Sequence, residues 1–265
     1  MRVPAFRSSR RRLAVGAAAA AVAVALAGGA VANAAMNQAP AGPHLTDRNV
    51  PNLTKVEDKI KAYYGDHVVD GEHYASPDSD YARQVHSIES QLKNYLRGRL
   101  AEPPHGKPAI VLDVDDTTLL TYNYELEVNF AYTPESNAAY VEAEKMSAVY
   151  GMPQLVSWAS EHGVALFYVT GRPESQRDAT VGNLAKVGYA APAADHLFLK
   201  NADNPPAYLP CGATCTTIQY KSGTRAYLQQ QGYDILASVG DQYSDLQGGH
   251  RDHAVKMPNP MYFLP

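Results

Sequence analysis

Residues 109–120 read A-I-V-L-D-V-D-D-T-T-L-L, and this stretch decides the fold. Its apolar run, residues 110–112, ends in a cluster of carboxylates, as a buried strand does when it stops at a polar edge. Side chains two apart on a strand point the same way, so we expect Asp113 and Asp115 to share a face and Asp116 to point elsewhere. Two buried carboxylates side by side repel each other unless a cation or a proton offsets the repulsion. The pattern predicts a metal-assisted acid/base site at the carboxyl end of a parallel strand, where open α/β sheets bind ligands.

Short apolar runs and amphipathic segments alternate along the rest of the chain. The apolar runs predict strands at residues 164–169, 196–199 and 234–239, and an edge strand at 254–256. Helices are predicted to begin at Thr133 and to cover residues 152–162, 174–187 and 223–231. This alternation is typical of a doubly wound parallel sheet, so the predicted fold class is α/β.

Residues 1–34 have the composition of a secretory signal peptide. An arginine-rich head precedes a run rich in Ala, Val and Gly, and Ala32-Asn33-Ala34 fits a cleavage site. The alternative is a transmembrane anchor, but the run ends in small residues and contains little Leu or Ile. The sequence S-R-R-R-L at residues 9–13 also resembles a twin-arginine signal, so the Sec and twin-arginine routes both stay open. We therefore expect a secreted protein, extracellular or retained in the cell envelope.

The charge of the mature chain excludes some classes of partner. Removing residues 1–34 takes away 5 of the 23 basic side chains and none of the 27 acidic ones, which leaves a formal charge of −9. Such a surface argues against binding of nucleic acid or of an anionic membrane. No later segment is long and apolar enough to span a bilayer.

The domain organisation predicted for the mature chain has two parts. Residues 35–107 are expected to form a polar lead-in and helices packed on the core, with helices at 52–64 and from Ser76 to residue 100, and a loop at 65–75. Residues 108–265 are expected to form the core. Cys211 and Cys215 are the two cysteines of the chain, and in an exported protein a C-x-x-x-C pair is more often a disulfide than a metal site.

Three of the predicted strands end in polar side chains. The carboxyl ends of parallel strands meet at one edge of a sheet, so these side chains converge although they are far apart in sequence. Carboxylates with one lysine and one hydroxyl form a site suited to Mg²⁺ and phosphate. The converging residues are Asp113, Asp115, Thr170, Asp241 and Asp245, and Lys221 is predicted to open a helix nearby.

Four motifs in order resemble those of the haloacid dehalogenase (HAD) superfamily. They are D-V-D-D-T at 113–117, V-T-G-R at 169–172, Y-K-S at 220–222 and G-D-Q-Y-S-D-L at 240–246. The pattern is similar to the acid phosphatase branch, the class B-like or subfamily IIIB group that is related to plant acid phosphatases and vegetative storage proteins. The tail P-N-P-M-Y at 258–262 resembles that branch too, and the resemblance covers roughly residues 50–265.

The resemblance implies a Mg²⁺-dependent phosphomonoesterase that acts through an aspartyl-phosphate. Asp113 would be the nucleophile, and Asp115 would be the general acid and then the general base. The substrates implied are small phosphomonoesters, aryl phosphates or nucleotides among them. Phosphoryl oxygens would be bound by Thr170, Gly171 and Lys221, and Mg²⁺ by Asp113, the backbone carbonyl of Asp115, Asp241 and Asp245.

For Lys200, Lys221 and Arg172 the sequence leaves two possible roles open. Lys200 competes with Lys221 for the phosphate, and Arg172 either pairs with substrate or forms a salt bridge at a helix start. Asp116 is expected to be structural, and catalysis by His250 or His253 is not expected because Asp113 already serves as nucleophile.

The resemblance also implies a small helical cap insertion between the first two motifs, at about 118–160. This insertion is rich in aromatic residues, namely Tyr122, Tyr124, Phe130 and Tyr132. They could stack on an aromatic leaving group or pack the insertion on the core. Our hypothesis is that Tyr122 or Tyr124 lines the site.

Two alternative functions remain open from the sequence. One is a phosphotransferase that passes the phosphoryl group to an acceptor other than water. The other is a non-catalytic binding or storage protein on the same fold, which loss of the nucleophile would favour.

Overall fold

The computed structural model describes residues 50–264, so the predicted signal peptide lies outside the described residues. The strands in this range are β1 (His67–Val69), β2 (Glu72–Tyr74), β3 (Lys107–Leu112), β4 (Leu119–Leu120), β5 (Ser147–Ala148), β6 (Ala165–Pro173), β7 (Leu197–Lys200), β8 (Tyr233–Gly240) and β9 (His253–Lys256). The helices are α1 (Leu53–Tyr64), α2 (Asp80–Leu100), α3 (Tyr122–Glu127), α4 (Pro134–Glu142), α5 (Met152–Glu161), α6 (Arg177–Lys186), α7 (Thr217–Gln230) and α8 (Tyr243–Leu246). Short 3₁₀ turns lie at Glu174–Gln176, Ala194–His196 and Gly212–Thr214.

A five-stranded parallel sheet in the order β7-β6-β3-β8-β9 forms the centre of the molecule. Strand β3 lies in the middle and is apolar on both faces. Ile110 and Leu112 pack into one layer of the core, and Ala109 and Val111 pack into the layer on the opposite face. The predicted α/β fold is therefore confirmed, because the apolar run before Asp113 is buried from both sides.

Two boundaries in the N-terminal part differ from the prediction. The loop predicted at residues 65–75 contains the antiparallel hairpin of β1 and β2, which turns at Asp70 and Gly71 with positive φ at both residues. Helix α2 begins four residues after the predicted Ser76. Ser79 is its N-cap, since its Oγ accepts a hydrogen bond from the backbone N–H of Ala82 at 3.1 Å.

The segment between β3 and β6 is only partly helical. It contains α4 and α5, as predicted, and also α3, which was not predicted. Strands β4 and β5 pair antiparallel and form a small ribbon beside the carboxyl end of the sheet. The helix predicted at 174–187 is split into a 3₁₀ turn and α6.

The segment before α7 is closed by the predicted disulfide between Cys211 and Cys215. Helix α7 begins six residues earlier than the predicted residue 223. Thr216 caps it and forms a capping box with Gln219, a signal that the sequence prediction overlooked. Among the helices of residues 50–264, none has the length and apolar composition needed to cross a membrane.

Candidate active site

Three buried carboxylates meet at the carboxyl edge of the central sheet. Asp113 directly follows β3, Asp241 directly follows β8, and Asp245 lies on the short helix α8. One carboxylate oxygen from each lies within 4.8 Å of the others. Gly240 makes this approach possible, since a Cβ at that position would overlap the carboxylate of Asp245. The sheet thus brings together Asp113, Asp241 and Asp245 as the sequence predicted.

Lys221 is the cation at this cluster. Its Nζ donates to Asp113 Oδ1 at 2.7 Å and also to Asp245 Oδ1, and the lysine side chain is buried. Because α7 begins at Thr217, Lys221 lies in the second helical turn and does not open the helix. Lys200, the competing candidate, instead donates to Thr217 Oγ1 at 3.0 Å.

The pKa values of the cluster show that its carboxylates carry more negative charge than one lysine can balance. Burial, and then Asp245, raise the pKa of Asp113 well above its usual range, while Lys221 opposes this shift. Burial lowers the pKa of Lys221, but Asp113 and Asp245 outweigh burial and keep that pKa above its usual value. Burial and Asp116 raise the pKa of Asp241 to about 7. A set of buried carboxylate oxygens with excess negative charge fits a hard divalent cation, which binds such oxygens together with water and phosphate.

Asp115 is held by Arg172 through two hydrogen bonds. Arg172 Nε donates to Asp115 Oδ2 at 3.0 Å, and Arg172 Nη2 donates to Asp115 Oδ1 at 2.7 Å. The guanidinium is buried and also donates to Thr180 Oγ1 at 2.9 Å, so its position is fixed from both sides. The partner of Arg172 is therefore Asp115, rather than a carboxylate at the start of the following helix. Strand β3 ends before Asp113, so the turn and Arg172, not strand alternation, orient Asp115.

Asp116 is not a member of the cluster of Asp113, Asp241 and Asp245, but it lies close enough to raise the pKa of Asp241. Its φ is 52°, its side chain is buried, and its carboxylate accepts hydrogen bonds from the Thr121 N–H at 3.0 Å and the Thr121 hydroxyl at 2.6 Å. Tyr262 of the C-terminal tail donates to the same carboxylate at 2.6 Å. Burial raises the pKa of Asp116 to about 7.

The remaining predicted phosphate ligands lie at the end of β6. Thr170 is buried, and its Oγ1 accepts a hydrogen bond from the Arg172 N–H at 3.2 Å. Gly171 is exposed at the same edge. The two histidines lie elsewhere, since His250 contacts Gln229 and His253 packs on Tyr95.

The aromatic residues of the insertion divide into buried and exposed ones. Tyr122 and Tyr124 are buried, and their hydroxyls contact Asp66 and Ser136. The structure therefore favours packing over our hypothesis that one of them lines the site. Tyr132 is 60% exposed, so most of its ring is open to solvent.

Residues 26–265 match the family profile described as HAD superfamily, subfamily IIIB (acid phosphatase). The chain belongs to this family. It is accordingly a phosphatase, and the family implies small phosphomonoester substrates. HAD phosphatases generally use a divalent metal, in agreement with the acidic cluster.

Proteins similar in sequence to this acid phosphatase come from plants, and a solved bacterial structure shares its fold. The chain is 30% identical to acid phosphatase 1 of Solanum lycopersicum over 188 residues, 69% of each protein. It is 26% identical to the stem 28 kDa glycoprotein of Glycine max over 201 residues, 74% of this chain and 72% of that protein. The class C acid phosphatase from Bacillus anthracis shares the fold, with a TM-score of 0.59 at 22% identity over 70% of this chain and 80% of that one.

Sequence reasoning missed Arg225, which ties together the backbone around Asp245 at the phosphatase site. Arg225 lies one helical turn after Lys221 and is fully buried. Its guanidinium donates to the carbonyls of Gly249 at 2.9 Å and Asp245 at 2.8 Å, and to that of Gln247. The spacing of four residues from Lys221 was the available signal, because it puts both cations on one face of α7.

Proposed function

We propose that this protein is an exported, Mg²⁺-dependent phosphomonoesterase in which Asp113 becomes transiently phosphorylated. The observation that carries the proposal is the Lys221 ammonium held between Asp113 and Asp245, with Asp241 beside them. A buried carboxylate oriented by a lysine at the edge of a parallel sheet is suited to in-line attack on phosphorus.

In the first step, an oxygen of Asp113 attacks the phosphorus, and the bond from phosphorus to the leaving oxygen breaks. Asp115 gives its proton to that oxygen, and Arg172 holds the Asp115 carboxyl in place for the transfer. In the second step, water attacks the phosphorus of the aspartyl-phosphate while Asp115 takes a proton from it. Inorganic phosphate leaves, and Asp113 is regenerated.

The charge of the phosphoryl group has to be offset in both steps. Lys221, Thr170 and the backbone at Gly171 are proposed to bind the phosphoryl oxygens. Mg²⁺ would be held by Asp113, Asp241, Asp245 and the backbone carbonyl of Asp115, and when bound it would neutralise part of the charge on the phosphoryl group.

We further propose that residues 1–34 are removed on export, that residues 35–107 support a core of residues 108–265, and that the insertion at about 118–160 leaves the site open. The proposed substrates include aryl and nucleotide monoesters, since the exposed ring of Tyr132 offers a surface on which an aromatic leaving group can stack. The intact carboxylates and Lys221 argue against a storage role, although vegetative storage protein 1 of Arabidopsis thaliana is 27% identical to this chain over 221 residues.

The test is hydrolysis of a chromogenic aryl phosphate by the protein lacking residues 1–34, with Mg²⁺ and with EDTA, beside an Asp113→Asn variant. Activity that requires both the metal and Asp113 is expected. Activity that survives Asp113→Asn would contradict the assignment of the nucleophile, and an inactive wild type over a broad pH range would favour storage. Adding alcohols as acceptors and analysing the products separates hydrolysis from phosphoryl transfer.

A further inference from the structure

The C-terminal segment of residues 258–264, the C-terminal strap, contacts Asp241 of the acidic cluster and the neighbouring Asp116. It leaves β9 through Met257, a buried residue whose N–H donates to the Gly240 carbonyl at 2.8 Å. Asn259 Nδ2 then donates to Asp241 Oδ2 at 2.7 Å, and the Tyr262 hydroxyl donates to Asp116 Oδ2 at 2.6 Å. The segment thus contacts two buried carboxylates, and Asn259 Nδ2 lies within 3.4 Å of an oxygen of each.

Backbone groups of the strap fix the orientation of the two amides that bind Asp241. The Met261 N–H donates to Asn259 Oδ1 at 2.9 Å, and the Leu264 N–H donates to Gln242 Oε1 at 3.0 Å. Each amide oxygen is therefore turned toward a backbone donor, and each amide nitrogen is turned toward Asp241. Gln242 Nε2 donates to Asp241 Oδ2 at 2.6 Å, so one oxygen of Asp241 accepts two amide donors.

This arrangement fixes the direction in which Asp241 presents its other oxygen. Among the hydrogen bonds of residues 50–264, all those accepted by the Asp241 side chain go to Oδ2, which leaves Oδ1 for another partner. A carboxylate with one oxygen held by fixed donors and one oxygen free is arranged as a metal ligand with an outer shell of hydrogen bonds.

Asp116 extends the same network to the turn after Asp113. Asn259 Nδ2 lies 3.4 Å from Asp116 Oδ2, where the hydroxyls of Tyr262 and Thr121 also donate. The strap therefore ties the loop that follows the nucleophile to the loop that carries Asp241.

We infer that the C-terminal strap positions the metal-binding oxygen of Asp241, with Asn259 acting on Asp241 directly and Tyr262 acting through Asp116. The inference rests on the proposed divalent-cation site and adds two positioning residues to it. If the strap only covered the core, its variants would lose the same stability with and without the metal. If it positions Asp241, its variants also lose affinity for the metal.

The experiment compares Asn259→Leu and Tyr262→Phe with the wild type and with Tyr150→Phe. The last variant is a matched control, because the Tyr150 hydroxyl donates to the Ala75 carbonyl far along the chain from the strap. Mg²⁺ alone is titrated into each protein by calorimetry, and the melting temperature is measured in EDTA and in saturating Mg²⁺. Outer-shell partners of metal ligands are typically worth 10- to 100-fold in affinity, so we expect a loss of about that size for Asn259→Leu and about 3- to 10-fold for Tyr262→Phe.

The expected result also includes a smaller rise in melting temperature on adding Mg²⁺ to both strap variants, since stabilisation by a ligand follows its dissociation constant. The Tyr150→Phe control should keep the wild-type affinity. Strap variants that bind Mg²⁺ as tightly as the wild type would overturn the inference and leave the proposed function in place. A wild type that binds no divalent cation would overturn both the inference and the proposed function. If Asn259→Leu does not fold, Tyr262→Phe, which removes only one hydroxyl, serves as the test of the inference.

Discussion

Replacing Lys221 by methionine is the sharpest single perturbation of the site. Methionine keeps most of the length and volume of the side chain but removes the ammonium that contacts Asp113 and Asp245. Both carboxylates are buried, so the variant leaves two like charges facing each other without a cation. We expect a loss of activity and a loss of stability from the same change.

The size of both losses follows from the contacts. Removing one partner of a buried ion pair typically costs about 3–5 kcal/mol. Removing a group that offsets developing charge at the reacting centre typically costs about 100- to 1,000-fold in kcat. We therefore expect kcat of Lys221→Met to fall by at least about 100-fold.

The stability loss should depend on pH in a defined direction. Lys221 opposes the raised pKa of Asp113, so the pKa of Asp113 should rise further in the variant. A carboxyl whose pKa is raised on folding favours the folded state fully below its unfolded pKa of about 4, and that contribution is lost as the pH rises through the folded pKa. In EDTA, the free energy of unfolding of Lys221→Met should therefore approach that of the wild type near pH 4 and fall furthest below it near pH 8.

The assays are urea unfolding in EDTA at both pH values and hydrolysis of an aryl phosphate in Mg²⁺. Lys200→Met is the matched control, since Lys200 ends β7 at the same edge but contacts Thr217. Full loss of activity in Lys200→Met, with activity retained in Lys221→Met, would refute the reasoning and make Lys200 the phosphate ligand.

Three further predictions concern contacts around the site and in the core. Arg172→Met should lower kcat about 10- to 100-fold, with a larger loss for the hydrolysis of alkyl phosphates than of aryl phosphates, because poorer leaving groups depend more on a correctly held Asp115. Equal losses of kcat for the two substrates would contradict this prediction. Arg225→Met should lower the free energy of unfolding in urea by at least about 3 kcal/mol, since three carbonyls, among them that of Asp245, lose a charged donor; an unchanged midpoint would contradict this. Burial raises the pKa of Glu89 to about 7, although His86 opposes this shift, so the Glu89 contribution to the stability of the wild type should fall by at most about 3 kcal/mol as the pH rises from 5 to 8. Glu89→Gln should flatten this fall in the free energy of unfolding, and a variant with the pH profile of the wild type would contradict the prediction.

The sequence predicts the sheet and the ends of its strands well for a physical reason. Strands β3, β6 and β8 are buried on both faces, so they stand out as apolar runs, and the residues that follow them are polar because they lie at the ligand-binding edge. Asp113 and Asp241 could be brought together from topology alone, whereas the choice of Lys221 over Lys200 rested on the family resemblance. Their burial and the 2.7 Å contact of Lys221 with Asp113 agree with that expectation.

Local signals explain the boundaries that were wrong. The Asp70-Gly71 turn between alternating residues is a hairpin signal, and the capping box of Thr216 and Gln219 marks the start of α7. Both patterns are present in the sequence and were outweighed by the surrounding polar and Pro/Gly-rich residues.

Contacts between distant residues could not be predicted in the same way. Asp115 and Arg172 are 57 residues apart, and Asn259 reaches Asp241 through a tail that has no regular secondary structure. No periodicity carries such pairings, since they depend on where a loop or tail crosses the folded core. The tail motif at 258–262 was visible as a resemblance, but its contacts had to come from the structure.

The central claim is that Asp113 carries the phosphoryl group during turnover. The direct measurement is an acid quench of the enzyme with a phosphate-labelled aryl monoester in Mg²⁺, followed by peptide mapping of the protein-bound label. The account predicts label on the peptide that contains Asp113, and none in Asp113→Asn. Label on a different residue, or phosphate release with no label on protein during rapid turnover, would contradict it.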